Sequence, residues 1–112
     1  MIREFIMLPE FDKCWNKLGL TDDDLWELQD YLCLHPESGD INPDTGGLRK
    51  LRWGLQTKGK RGGARVIYVD FAYYEKLYLI SAYSKSDKDN LTKTEKTEIR
   101  KRLKVLEAEC KK

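Results

Sequence analysis

Two runs rich in β-branched and aromatic residues, ARVIYVDF at 64–71 and KLYLISAY at 76–83, are separated only by AYYE. Such residues fit a pleated, half-buried surface. Strands joined by so short a turn must pair antiparallel, because a parallel return needs a crossover of a dozen or more residues. Upstream, Leu48–Gly54 reads as a third strand, followed by Leu55–Gly63, a basic loop containing glycines. The three strands in series predict an antiparallel meander. A meander must bury one face against another layer.

Helices supply that layer. Arg3–Leu8 reads as a short edge strand. Pro9–Leu18 reads as a helix, with Pro in the first turn and Phe11, Cys14, Trp15 and Leu18 at i, i+3, i+4 and i+7. Gly19 ends it. Thr21 is an N-cap for a second helix whose first turn holds Asp22, Asp23 and Asp24, where the helix dipole favours anions. Leu25, Leu28 and Leu32 line its buried face, and His35-Pro36 stops it. Glu37–Gly47 is a connection rich in Gly, Pro, Asn and Asp. Thr92-Lys93-Thr94-Glu95 has capping-box form and opens a last helix with Ile99, Leu103, Leu106 and Cys110 on one face. A hydrophobic fraction of 40% is enough for one core. The expectation is one α+β domain over residues 1–112: an antiparallel sheet packed against two N-terminal helices, with a C-terminal helix.

Charge is the second constraint. The net charge of +2 conceals a strong segregation. Thr21–Glu37 carries Asp22, Asp23, Asp24, Glu27, Asp30 and Glu37 and no Lys or Arg. Thr45–Arg65 carries seven Lys or Arg and no acid. The surface should therefore have an acidic side and a basic side. In the third strand Lys50 and Arg52 share one face and Leu51 and Trp53 the other. The apolar pair should pack on helices, leaving the basic pair on an open face. Like charges on one face of a sheet repel, so a polyanion is the natural partner. Arg65 opens the next strand, and Lys85 follows the last one just after Tyr83. A basic loop is ordinarily just solvated; Lys58, Lys60 and Arg61, with Arg49, are candidates for holding the backbone of such a polyanion. Tyr68, Tyr74 and Tyr78 are read as core or rim, and Tyr83 as the candidate for stacking on a base.

Other chemistries lack their residues. There is no phosphate-binding GxxxxGK[ST] between a strand and a helix, no His/Cys/carboxylate cluster for a metal, and no cofactor signature. His35 is alone at a helix end. Cys14, Cys33 and Cys110 are odd in number and far apart, which reads as small buried thiols in a reducing cytoplasm. No segment has the length and apolarity of a membrane span, and the N-terminus lacks a signal-peptide core.

GGLRKLRW, KGKRGGARVIY, YLISAYSK and the capped terminal helix together resemble bacterial toxins of the RelE/HigB type, especially the HigB-like branch. GGLRK followed about a dozen residues later by GKRGGxRxIY carries most of the likeness, which spans nearly the whole chain. The resemblance implies a compact α+β fold with a basic sheet face. It implies a ribosome-dependent endoribonuclease that cuts messenger RNA and so inhibits translation. It implies a neutralising antitoxin, a helix-turn-helix HigA-like protein, with operator DNA bound only through the toxin–antitoxin complex. By position it makes Lys50, Arg52, Arg65, Tyr83 and Lys85 the catalytic set. RelE itself has a functional tyrosine in the segment after the last strand, where this chain has Leu91.

Such a set fits metal-free cleavage, in which the RNA 2′-hydroxyl attacks the adjacent phosphate. The reaction needs geometry, a proton acceptor, charge stabilisation on phosphorus and a proton for the leaving oxygen. Arg65 suits the phosphate, since its planar fork can bind two oxygens. Arg52 can do the same, but arginine is a poor base; Lys50 is the better one. Lys85 would stabilise or protonate the leaving oxygen, and Tyr83 would stack or assist proton transfer. Two alternatives remain open on the residues alone: a ParE-like gyrase inhibitor, and a non-catalytic RNA- or ribosome-binding module. DNA damage without RNA cleavage marks the first, and binding without a cut product marks the second.

Overall fold

A computed structural model describes residues 2–54, 63–84 and 92–111. The chain runs β1 (Glu4–Met7), α1 (Pro9–Lys17), α2 (Asp22–Leu34), β2 (Asp40–Ile41), β3 (Arg49–Trp53), β4 (Ala64–Phe71), β5 (Lys76–Ser84) and α3 (Lys93–Cys110). A single 3-10 turn, Ala72–Tyr74, joins β4 to β5, with Glu75 left-handed at its end. The strands form one sheet in the order β1-β5-β4-β3-β2.

Local chemistry sets the helix boundaries. Thr21 accepts from the amide of Asp24 and Asp24 accepts from the amide of Thr21, a reciprocal cap for α2. Thr92 and Glu95 make the same exchange at the start of α3. Pro9 opens α1 in the position where its missing N–H costs nothing.

The sheet has two cores. On one face Phe11, Trp15, Leu28 and Leu32 from α1 and α2 meet Leu51, Val66, Tyr68, Leu77, Leu79 and Ala82. Phe11 and Trp15 stack with ring centroids 5.3 Å apart. On the other face Leu103 and Leu106 of α3 meet Leu48, Val69, Tyr78 and Ile80, with Ile99 and Cys110 partly buried beside them.

The structure differs from the sequence expectation in four places. The meander β3-β4-β5 is antiparallel as read, but β1 pairs parallel to β5, so the sheet is mixed. All the other elements intervene between β1 and β5, which leaves chain length free to serve either direction. Arg3 helps anchor the parallel one: its guanidinium donates to both carboxylate oxygens of Asp70, at 2.7 and 3.2 Å. That hydrogen bond holds Arg3 charged, above its ordinary pKa. Second, the Glu37–Gly47 connection contains β2, two residues paired with β3. Third, the basic face is not wholly open, because α3 covers part of it. Fourth, Cys14, Cys33 and Cys110 are free thiols but only half-buried.

Among the described residues, no helix is long and apolar enough to cross a membrane.

Candidate active site

The pairing register brings three of the singled-out residues into one row. Arg52 of β3 lies opposite Arg65 of β4, which lies opposite Tyr83 of β5. Adjacent strands are about 4.8 Å apart, so the row spans roughly 10 Å. Lys50 sits two residues along β3 from Arg52, opposite Ile67, on the same face. Arg65 is buried, with 6% of its surface exposed, while Arg52 is exposed and Lys50 and Tyr83 are half-buried. A buried guanidinium acts in a lower dielectric than a surface one, which strengthens its attraction for an anion.

Two backbone devices build the row. The first is a register shift between β4 and β5. Ile67 pairs with Ser81 but Tyr68 pairs with Leu79, so β5 carries an extra residue there. Strict alternation would put Tyr83 on the face of Leu77 and Leu79, under α1. The extra residue changes the parity: Ala82 joins Leu77 and Leu79 in that core, and Tyr83 falls on the face of Arg65. Bulges of this kind re-aim side chains. The second device is Gly63, which enters β4 with φ +58. A Cβ at this position would collide with the carbonyl oxygen of Trp53. Only glycine lets the chain pass this close to β3 before setting Arg52 against Arg65. The Gly62-Gly63 pair before a strong strand was the sequence signal for it.

Arg49 belongs to the opposite side of β3. It pairs with Tyr68, and its Nη1 donates to the carbonyls of Gly39 at 2.7 Å and Glu37 at 3.2 Å. Those bonds tie β3 to the segment after α2. Tyr68 completes the same tie from the core. Its hydroxyl donates to the Pro36 carbonyl at 2.8 Å and accepts from the Gly39 amide at 2.9 Å. Burial pushes its pKa up. Tyr68 and Tyr78 are core residues, and Tyr74 is half-buried. Lys58, Lys60, Arg61 and Lys85 lie outside the described residues, as does Leu91.

The acids stand on the other side of the sheet. α2 packs through Leu28 and Leu32 on the face opposite Lys50 and Arg52, and Asp22, Asp23, Glu27 and Asp30 are exposed on it. The sheet thus separates a basic row from an acidic helix, an arrangement suited to a polyanion on one side only. No group of His, Cys, Asp and Glu capable of holding a metal occurs among the described residues.

Compared with known families, residues 8–112 match the family described as RelE toxin of the RelE/RelB toxin–antitoxin system. The chain belongs to the RelE toxin family. The match takes in every element from α1 to α3 and both halves of the basic row. Toxins of the RelE family are generally endoribonucleases that inhibit translation, and they pair with an antitoxin. The α+β architecture, with a basic row on the sheet, is consistent with membership of the RelE family.

Proposed function

We propose that this RelE-family toxin is a ribosome-dependent messenger endoribonuclease of the HigB-like branch, working without a metal in the cytoplasm. The observation that carries the reading is the Arg52–Arg65–Tyr83 row, with Lys50 on the same face and the acidic helix on the other. In this scheme the RNA 2′-oxygen attacks the adjacent phosphorus. A P–O2′ bond forms and the P–O5′ bond breaks, giving a 2′,3′-cyclic phosphate and a 5′-hydroxyl. Arg65 binds two phosphate oxygens and holds the extra negative charge of the transition state, assisted by Arg52. Lys50, in its neutral form, accepts the 2′-hydroxyl proton. Lys85 supplies the proton to the leaving 5′-oxygen, and Tyr83 stacks on a base or assists that transfer. Lys58, Lys60 and Arg61 hold flanking RNA backbone; Arg49, read from the sequence as a fourth such residue, does not, because it lies on the opposite side of β3 bonded to the carbonyls of Glu37 and Gly39. The antitoxin is a helix-turn-helix HigA-like protein, and operator DNA is met only through the complex.

The test is induced expression of the wild type, Arg65→Ala and Arg65→Lys in a bacterial host, with growth followed and messenger ends mapped by primer extension. Circular dichroism of the purified variants establishes that they fold. Wild-type arrest should come with new cuts inside translated codons. Arg65→Ala should lower cleavage by about 10²-fold or more. Arg65→Lys should recover only part of it, because an ammonium keeps the charge and loses the fork. Arrest without cuts would replace the nuclease with gyrase inhibition or non-catalytic ribosome binding. Full activity in a folded Arg65→Ala protein would remove this site.

A further inference from the structure

Beyond the row, the outer surface of α3 carries a second concentration of positive charge. Lys93, Lys96, Arg100 and Lys104 follow one another at spacings of three, four and four, which places them on one face of the helix. Lys93, Arg100 and Lys104 are exposed and Lys96 is half-exposed. The stripe runs beside the buried side of α3, where Ile99, Leu103 and Leu106 enter the second core. At 1.5 Å per residue it is on the order of 16 Å long.

Its direction is set by Gly46. This glycine lies just before β3, and a Cβ there would be 3.7 Å from Cγ of Arg100 and 3.9 Å from Leu103. Arg100 therefore lies over the turn that leads into Leu48, Lys50 and Arg52. The middle of the helical stripe thus lies at the turn that enters the basic strand, at the end of β3 away from Arg52 and Arg65. The remaining exposed cations of the helix, Lys101 and Arg102, lie on the other flank. Lys101 is 3.9 Å from Glu98 there.

We propose that the Lys96–Arg100–Lys104 stripe of α3 is a backbone-binding track for the single-stranded substrate RNA outside the row, holding phosphates of the strand beyond the reacting one. The proposal rests on the nuclease reading for its choice of RNA, but its readout is binding and not cleavage. A row about 10 Å wide grips only the reacting phosphate and its neighbours. A polymer held at one such point gains most of its affinity from phosphates further along, and cations in line with the site supply it without reading sequence.

The experiment compares two variants with the same loss of charge, Arg100→Gln/Lys104→Gln on the stripe and Lys101→Gln/Arg102→Gln on the other flank. Glutamine keeps the helix propensity, and circular dichroism checks the fold. The probe is a single-stranded, 2′-O-methylated RNA, which lacks the attacking hydroxyl and so reports binding alone. Its affinity is measured across a salt series. The stripe variant should bind more weakly, with the slope of log K against log salt reduced by about 1.4, as expected for two lost phosphate contacts. The flank variant should keep the wild-type slope. Equal loss in both variants would reduce the stripe to net charge and overturn the proposal, and so would no loss in either. Loss of antitoxin binding with RNA binding intact would make the stripe a protein interface instead. Cleavage of unmodified messenger on ribosomes is followed in parallel. A cleaving protein with a stripe-independent slope would end this proposal and leave the nuclease standing. A stripe-dependent slope in a protein that never cuts would do the reverse.

Discussion

On one face of the sheet, two helices close over strand side chains that are nearly all apolar, and Asp22, Asp23, Glu27 and Asp30 of the second helix are exposed to water. On the other, α3 contributes a smaller core around Leu103 and Leu106, and that core does not include Lys50, Arg52, Arg65 or Tyr83. The difference is one of purpose within a single sheet. Where both layers meet, hydrophobic area decides which residues are tolerated. Where the second layer ends, Lys50, Arg52 and Arg65 share the sheet face, placed there by the register of the strand ladder. Substitutions on the closed face should therefore act on stability, and those on the half-open face on RNA.

The strongest test of this separation is Phe11→Ala, which empties a fully buried ring site under α1. It should cost about 3–5 kcal/mol in chemical denaturation, while the fraction still folded binds RNA as the wild type does. A comparable loss of stability from Arg52→Ala would erase the distinction. Tyr68→Phe comes next. It leaves the Gly39 amide and the Pro36 carbonyl without their buried partner, for about 1–3 kcal/mol. Gly39 packs directly on this side chain, since a Cβ on it would stand 2.8 Å from the Tyr68 ring.

Arg49 and Arg52 sharpen the comparison further, because they are near neighbours on opposite sides of one strand. Arg49→Ala removes two bonds to backbone carbonyls and should lower stability by about 1–2 kcal/mol, with cleavage per folded molecule little changed. Arg52→Ala should lower cleavage and leave the melting temperature almost unmoved. Interchanged phenotypes would show that the face assignment does not govern function.

The smallest effect is confined to alkaline pH. Burial, and then the Cys110 thiol 3.7 Å away, push the Tyr78 hydroxyl from 10.0 up to about 12. The folded state therefore favours the protonated phenol. Its contribution to stability is complete below pH 10 and is lost as the pH rises through about 12. Ultraviolet titration should find Tyr68 and Tyr78 ionising late, and Cys110→Ala should bring Tyr78 alone partway back. An unshifted titration in the folded protein would remove Tyr78 from this account.

Much of this was legible in the chain. Thr21 with Asp24, and Thr92 with Glu95, set helix starts through contacts spanning three residues. Ala64–Phe71 has the composition of a strand and is one over that span. The segregation of acids from bases along the chain became a segregation across the sheet, because Leu28 and Leu32 bind α2 to one face and alternation turns Lys50 and Arg52 to the other. These features depend on periodicity and on near neighbours, and both are written in local order.

What local order does not contain is pairing between distant segments. The parallel docking of β1 on β5, with Arg3 against Asp70, joins residues 67 positions apart. The cover that α3 gives to part of the basic face depends on where that helix lands. The extra residue of β5 is the sharpest case. Read as a strict alternation, KLYLISAY puts Tyr83 with Leu77 and Leu79; paired against β4 with a shifted register, it puts Tyr83 beside Arg65. The sequence by itself determined the elements, their caps and the sign of each surface, because those follow from backbone propensity and side-chain period. The row of Arg52, Arg65 and Tyr83 was decided only by tertiary structure, because a register is a property of two strands and of the packing that selects between their possible pairings.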